Sequence, residues 1–258
     1  MAALARPRPV YSTPICGDTI ATVPHVPAEV RLCIEDPVPP RLTLEPQTNL
    51  FKLRLVNSDE RRSSASYLIR RRYAWRGYVV GDHSQEALSR ITVGAQDESG
   101  MVGTVTVGLD TPDGLFVDGL YADEVASLRD TGAKLAEFTR LAIDDNIHSK
   151  PLLAALFHIA FIYARRIHGC THLLIEVNPR HEGFYRRMLG FERIGRLRGD
   201  PRIGAPAVLL RLDLAFAEAE IARLGGNPNL ATITRSLYTH AFTLREEASI
   251  ERRLRALG

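Results

Sequence analysis

The run from Leu173 to Phe191, LLIEVNPRHEGFYRRMLGF, constrains the fold more than any other stretch of this chain. Thr171 to Val177 is a short aliphatic segment with the length and composition of a buried strand. Asn178-Pro179 breaks it, Glu182 to Leu189 reads as a helix, and Gly190 supplies the left-handed stop that helices favour. Phe191 to Arg196 then reads as a strand. A buried strand that feeds a helix and returns to a strand belongs to a layered α/β sheet rather than to a bundle or a sandwich.

The flanking pattern extends that sheet. Phe51, Leu53 and Leu55 alternate with Lys52 and Arg54 as in a half-buried strand, and Ser58-Asp59 can cap a helix from about Glu60 to Trp75. Ile91 to Ala95 and Met101 to Val107 flank a turn-rich Gln96 to Gly100 and predict a hairpin. Asp110 to Gly119 is loop-like, and a short helix follows over Leu120 to Arg129. Lys134 to Asp144 reads as a strand. Pro151 suits the first turn of the apolar helix Leu152 to Ala164, and Gly169 ends that element. A turn at Gly199 to Gly204 leads to a last strand, Ala207 to Leu214. Residues 215–258 read as two helices broken at Gly225-Gly226-Asn227-Pro228. Nine of the fifteen prolines fall in the first fifty residues, which predicts a mostly irregular arm over 1–48. The expected division is this arm, a catalytic-sized domain over 49–214, and a helical extension over 215–258.

With 258 residues, 45% of them hydrophobic, the chain can bury a substantial core. Its 33 basic and 30 acidic residues nearly balance, which gives no reason to expect a nucleic-acid partner. Cys16, Cys33 and Cys170 are scattered, suggesting neither a disulfide framework nor a zinc site. His148, His158, His168, His172 and His181 lack metal-site spacing, so no metal is expected. No segment has the length of a membrane span, and a cytoplasmic protein is expected.

The Leu173 to Phe191 run resembles the closing motif of the GNAT superfamily of acyltransferases: strand, Asn178, helix with Tyr185 seven positions on, then Gly190-Phe191. The resemblance implies a mixed, mostly antiparallel sheet flanked by helices. Arg71-Arg72-Tyr73-Ala74-Trp75 and Glu137-Phe138-Thr139-Arg140 resemble segments of acyl-homoserine-lactone synthases. Residues of about 50–214, including Pro112-Asp-Gly-Leu115 and Ala205-Pro-Ala207, are closer still to long-chain N-acyl amino acid synthases of the N-acyl-tyrosine type. That likeness implies an acyl carrier protein thioester as donor, or acyl-CoA, with no bound cofactor, and a free amino acid as acceptor. An arginine common on the hairpin's second strand is absent here, with Thr104 and Thr106 in that region. Asp82 and Asp97 are loose counterparts of the lactone synthases' aspartate pair.

Each site residue has a physical rationale beside the resemblance. The phenol of Tyr185 can protonate a departing thiolate, or it can simply pack on its helix. Asn178 can bridge loosened strand edges. Glu137 can take a proton from an ammonium while Arg140 fixes a carboxylate or carbonyl, or the two can form a plain ion pair. Because residues three apart on a regular strand face opposite sides, a shared site needs a bulge, whose freed amide near Leu141 can hold an oxyanion. Arg72 is a candidate for positioning substrate. Trp75, Phe138 and Phe184, with Phe157 and Phe161, either line an acyl tunnel or form plain core. Asp144 to Leu152 contains no glycine, unlike a CoA pyrophosphate loop, and Asp144 and Asp145 would repel a pyrophosphate. Arginines at 70–72, 165–166, 186–187, 193, 196 and 198 form either a docking surface for an acidic carrier protein or solvated faces.

The expected activity is transfer of a medium or long acyl chain from acyl carrier protein to an amino acid's α-amine. The alternatives are a lactone-forming signal synthase, an acetyl-CoA acetyltransferase, and a non-catalytic carrier-docking module.

Overall fold

The computed structural model describes residues 17–25, 50–74 and 89–257. Among them, nine strands build a sheet in the order β1-β2-β3-β4-β5-β6-β9-β7, and β8 pairs with β9 off this path. The strands are β1 (Thr19–Pro24), β2 (Leu50–Leu55), β3 (Arg90–Asp97), β4 (Gly100–Leu109), β5 (Leu135–Ile143), β6 (His172–Val177), β7 (Glu192–Arg193), β8 (Arg198–Asp200) and β9 (Ala205–Asp213). All neighbours are antiparallel except β5 and β6. The helices are α1 (Asp59–Ala74), α2 (Asp118–Asp130), α3 (Lys150–Phe161), α4 (Pro179–Leu189), α5 (Leu214–Leu224) and α6 (Leu244–Leu257).

The helix and strand expectations from residue 50 onward hold for the described residues, with three differences, the first being that the turn expected over Gly199–Gly204 begins as strand β8, whose Arg198–Asp200 pairs with Ala205–Ala207 of β9. The stretch from Phe191 to Arg196 is a strand only over Glu192–Arg193, because the Ile194 and Gly195 amides both turn onto the Leu209 carbonyl and end the ladder. The long apolar helix widens into a π turn over Ile162–Ile167 before Gly169 ends it in the left-handed region. The arm expected to be mostly irregular contains β1, a six-residue strand that pairs with β2 and buries Ile20 and Val23. Residues 1–16, 26–49 and 75–88, which include Asp82 and the candidate Trp75, lie outside the described residues.

The sheet separates two layers. On one face, Leu135, Leu174 and Leu209 pack with Val117, Tyr121 and Val125 of α2 and its entry loop. On the other, Ala136, Phe138, Leu173 and Ile175 join the main core with α3 and the C-terminal elements. Ala142 packs against Leu68 and Ile69 of α1, whereas Ile143 approaches Leu156 of α3 across Gly103. Odd-numbered β5 residues therefore face α2 before position 139, and even-numbered ones face that side after it. A bulge between them reverses the alternation.

Candidate active site

That bulge lies where β5 leaves β6. The parallel ladder runs from Leu135↔His172 to Phe138↔Ile175 and stops, although β5 continues to Ile143 and β6 to Val177. On the opposite edge, pairing with β4 jumps from Thr106↔Thr139 to Thr104↔Ala142, leaving an extra residue on β5. Within this jump Arg140 has φ of +52°, a conformation that costs a non-glycine residue stability and is found at functional sites. Its carbonyl accepts the Thr104 hydroxyl at 3.0 Å. Thus Thr104 holds the bulge, while Thr106 exchanges a hydrogen bond with Thr92 across the hairpin at 2.8 Å. Leu141 is half-buried against the main core.

Glu137 projects from β5 toward α2 and is fully buried. Its partner is not Arg140 but Arg90, 47 residues upstream on β3, whose Nη2 donates to Oε1 at 3.0 Å. The Val117 amide donates to Oε2 at 3.1 Å. Gly108 makes this pair possible, since a Cβ there would stand 3.0 Å from Oε1 and 3.4 Å from the arginine Nε. Burial raises the Glu137 carboxyl above its ordinary range, against the pull of Arg90 and the Phe116 and Val117 amides. A carboxylate tuned upward is better matched to proton transfer near neutrality.

Arg90 was not singled out by its local sequence, and neither was a second polar cluster on this face. Glu176 extends from the end of β6 that has parted from β5 but still pairs with β9, and Arg202 Nη2 donates to both its carboxylate oxygens at 2.7 Å. Arg202 Nε also donates to Asp200 at 2.7 Å, Nη1 donates to the Phe116 carbonyl at 2.8 Å, and the guanidinium lies 4.1 Å from the Phe116 ring centroid. Burial and the hydrogen bond with Asp200 push Glu176 up to about 7 despite Arg202. The loop before α2 is thus gripped by Glu137 through Val117 and by Arg202 through Phe116.

The other face is aromatic. The Phe138 and Phe157 rings are 5.9 Å apart, and Tyr185 of α4 meets Phe157, Phe184 and Phe191 edge-on at 6.2, 5.4 and 5.7 Å. Asn178 caps α4, its Oδ1 accepting the Arg180 amide at 3.2 Å, and Gly190 ends the helix with φ of +78°. A narrow, largely apolar cavity begins at Phe138 and Phe157 and extends beneath α5, lined there by Ala217 and Ile221. Cys170, the one cysteine among the described residues, is buried, and burial pushes its thiol up to about 11, away from nucleophilic use.

Two electrostatic expectations change. Asp144 and Asp145 do not stand as bare acids at the entry to α3: Arg71 of α1 pairs with Asp144, and Arg72 pairs with Asp145. Burial works against ionisation of Asp144, but the Asn146 amide and Arg71 hold it below its ordinary value. The charge repulsion expected against a pyrophosphate is therefore largely cancelled, while the lack of glycine remains. Many arginines of the supposed docking surface also have internal carboxylate partners: Arg165 and Arg166 with Glu218, Arg186 and Arg193 with Glu182, and Arg198 with Glu124. Asp97 accepts Ser99 in the hairpin turn and is structural.

A bulged strand splayed from its parallel neighbour, with a buried carboxylate on one face and a tyrosine on the other, places the chain among GNAT-fold acyltransferases. The family model of the N-acyl amino acid synthase FeeM matches residues 64–213, and the chain belongs to that family. The solved structure of FeeM, from uncultured soil microbes, is 30% identical, with a TM-score of 0.62 over 67% of this chain and 94% of that one. Lower overlaps occur with Escherichia coli ElaA (8% identity, TM-score 0.49, 63% and 99% covered) and the AHL synthase LasI (17%, 0.45, 64% and 90%). No curated protein matches the chain at a significant level. Among the described residues, no helix is long and apolar enough to cross a membrane, and no group of three or more His, Cys, Asp or Glu could hold a metal ion.

Proposed function

We propose that the protein transfers a medium or long fatty acyl chain from a carrier-protein phosphopantetheine thioester to the α-amine of an amino acid. The observation that carries this reading is the end of the β5/β6 ladder at Phe138↔Ile175, beside an apolar cavity on one face and the Glu137 carboxylate on the other. A pantetheine arm can add between the splayed strands much as a peptide adds to a sheet edge. The thioester then lies between the layers, with the acyl chain toward Phe138 and Phe157 and the acceptor on the α1/α2 side.

Glu137, reaching the ammonium through water because it is fully buried, takes the proton that frees the amine. The amine attacks the thioester carbon, a C–N bond forms, and an amide near Leu141 stabilises the oxyanion. As the intermediate collapses, the nitrogen loses a second proton to solvent, the C–S bond breaks, and Tyr185 protonates the thiolate. Tyr185 regains its proton from water, so the transfer releases one proton overall and needs no acyl-enzyme. Arg140 and Arg72 orient the acceptor, Asn178 fixes the start of α4, and Phe184 packs the Tyr185 ring. Arg90, reaching across β4 from β3, holds Glu137 in place.

An acyl-CoA donor is the second reading, favoured by the pairing of Asp144 and Asp145 with Arg71 and Arg72. Mass spectrometry of lipid extracts from expressing cells tests the reaction class. N-acyl amino acids with long chains are expected, whereas lactones, acetylated amines or no new product would remove this reading.

A further inference from the structure

The cavity beside the splay is completed by a segment outside the span that matches the family. That span ends at residue 213, and α5 begins at Leu214. Strand register gives the direction of the cavity. Phe138 and Ile175 close the ladder at the splay, whereas Leu173, two residues back along β6 and about 7 Å away by strand rise, pairs with Leu212 of β9. Leu173, Leu212 and Leu214 all line the cavity, so it runs from the splay toward α5. Its deep wall consists of Ala217 and Ile221 of α5, then Leu237, Tyr238 and Ala241 from the segment before α6.

Polar contacts fix this wall in place. The Tyr238 hydroxyl donates to the Leu189 carbonyl at the end of α4 at 2.9 Å. His158 of α3 accepts the Phe242 amide on Nδ1 at 3.0 Å, which leaves Nε2 to donate to Glu247 of α6 at 3.1 Å. Arg166 Nε donates to the same Glu247 at 2.6 Å, and Arg165 Nε donates to Glu218 of α5 at 3.1 Å. His158 and Glu247 are buried and the arginines half-buried, and the shared Glu247 and Glu218 carboxylates tie α3, the π turn, α5 and α6 into one arrangement.

Resting on the acyl-transfer reading, we infer that the C-terminal segment 214–241 sets the length of acyl chain the protein accepts, with Ala217 and Leu237 as specificity-determining residues. Ala217 and Leu237 both line the cavity, so a larger side chain at 217 would take up part of its volume and a smaller one at 237 would enlarge it.

The test measures binding of S-alkyl pantetheine thioethers, which cannot transfer their chains, alongside turnover of the matching octanoyl and hexadecanoyl thioesters. Ala217→Phe is expected to lower the hexadecyl-to-octyl affinity ratio by roughly tenfold, the effect of losing burial for about two methylenes. Leu237→Ala is expected to raise that ratio. Circular dichroism confirms that each variant is folded, and because the signs are opposed, a general loss of stability cannot imitate both results. Ratios that stay constant, or move in the same direction in both variants, would overturn the inference. Chain-length-dependent binding without turnover by the wild-type protein would instead count against the acyl-transfer reading.

Discussion

The two faces of the β5/β6 splay differ in chemistry although they share the same strands. Toward α2, Glu137, Glu176, Asp200, Arg90 and Arg202 form charged contacts around a short loop, while toward α3 the residues alternating with them are apolar: Phe138 and Leu173 line the cavity and Ile175 joins the main core. Strand alternation produces this division, and the bulge at Arg140 interrupts it where the ladder opens. The difference teaches how a single opening can serve two unlike substrates. An amino acid needs charge and proton transfer, whereas a fatty chain needs dry volume.

The largest expected effect concerns the apolar side. Glu247→Ala removes the carboxylate shared by His158 and Arg166, leaving the buried His158 Nε2 without its acceptor while the half-buried Arg166 keeps Glu218. A loss of about 3 kcal/mol in unfolding free energy is expected from urea titration, the usual cost of breaking a buried pair. A loss under roughly 0.5 kcal/mol would mean that the clamp does not hold the wall.

On the polar side, Glu137→Gln should lower kcat about a hundredfold, or roughly 2.7 kcal/mol, with little change in the donor KM. An equal fall for an acceptor supplied already as the free amine at high pH would contradict the role of base. Tyr185→Phe should cost less, roughly tenfold in kcat, because a thiol of pKa about 8.5 leaves with little assistance. A thioester with a more acidic thiol should shrink that deficit further.

The smallest effect is a slope. Glu176 titrates near 7 when folded against an ordinary 4.5, so the folded chain holds a proton that the unfolded chain has lost. Stability contributed by this group therefore falls as pH rises from about 4.5 to about 7 and stays at its lower value above that window. Because Asp200 shares the hydrogen bond, the pair titrates as a unit. Glu176→Gln should flatten the urea midpoint between about pH 5 and about pH 7. An unchanged slope would assign the titration to another group.

Much of the scaffold was legible because its signals are local. Pro151, Gly169 and Gly190 marked helix ends, alternation marked β2, and the Asn178 to Phe191 run gave the order of β6, α4 and the chain's return to the sheet. Strand β1 was hidden because six residues among dense prolines carry too little period, and its pairing with β2 is what defines it. The candidate site was only partly legible. Glu137 and Tyr185 stood out, but the partner of Glu137 is fixed by β3–β4–β5 register, which brings Arg90 opposite Gly108 and Gly108 opposite Glu137. Register across three strands cannot be read from any single segment. The same holds for Glu176 and Arg202, 26 residues apart, and for Asp144 and Asp145, whose partners come from α1.

The most direct test of fatty acyl transfer at the splay uses purified protein, dodecanoyl carrier protein, dodecanoyl-CoA and a mixture of free amino acids, with products read by mass spectrometry. The account predicts an N-dodecanoyl amino acid from the carrier-protein donor, with its formation sharply reduced in Glu137→Gln. Product formed only from a short acetyl donor, or at undiminished rate in that variant, would contradict it.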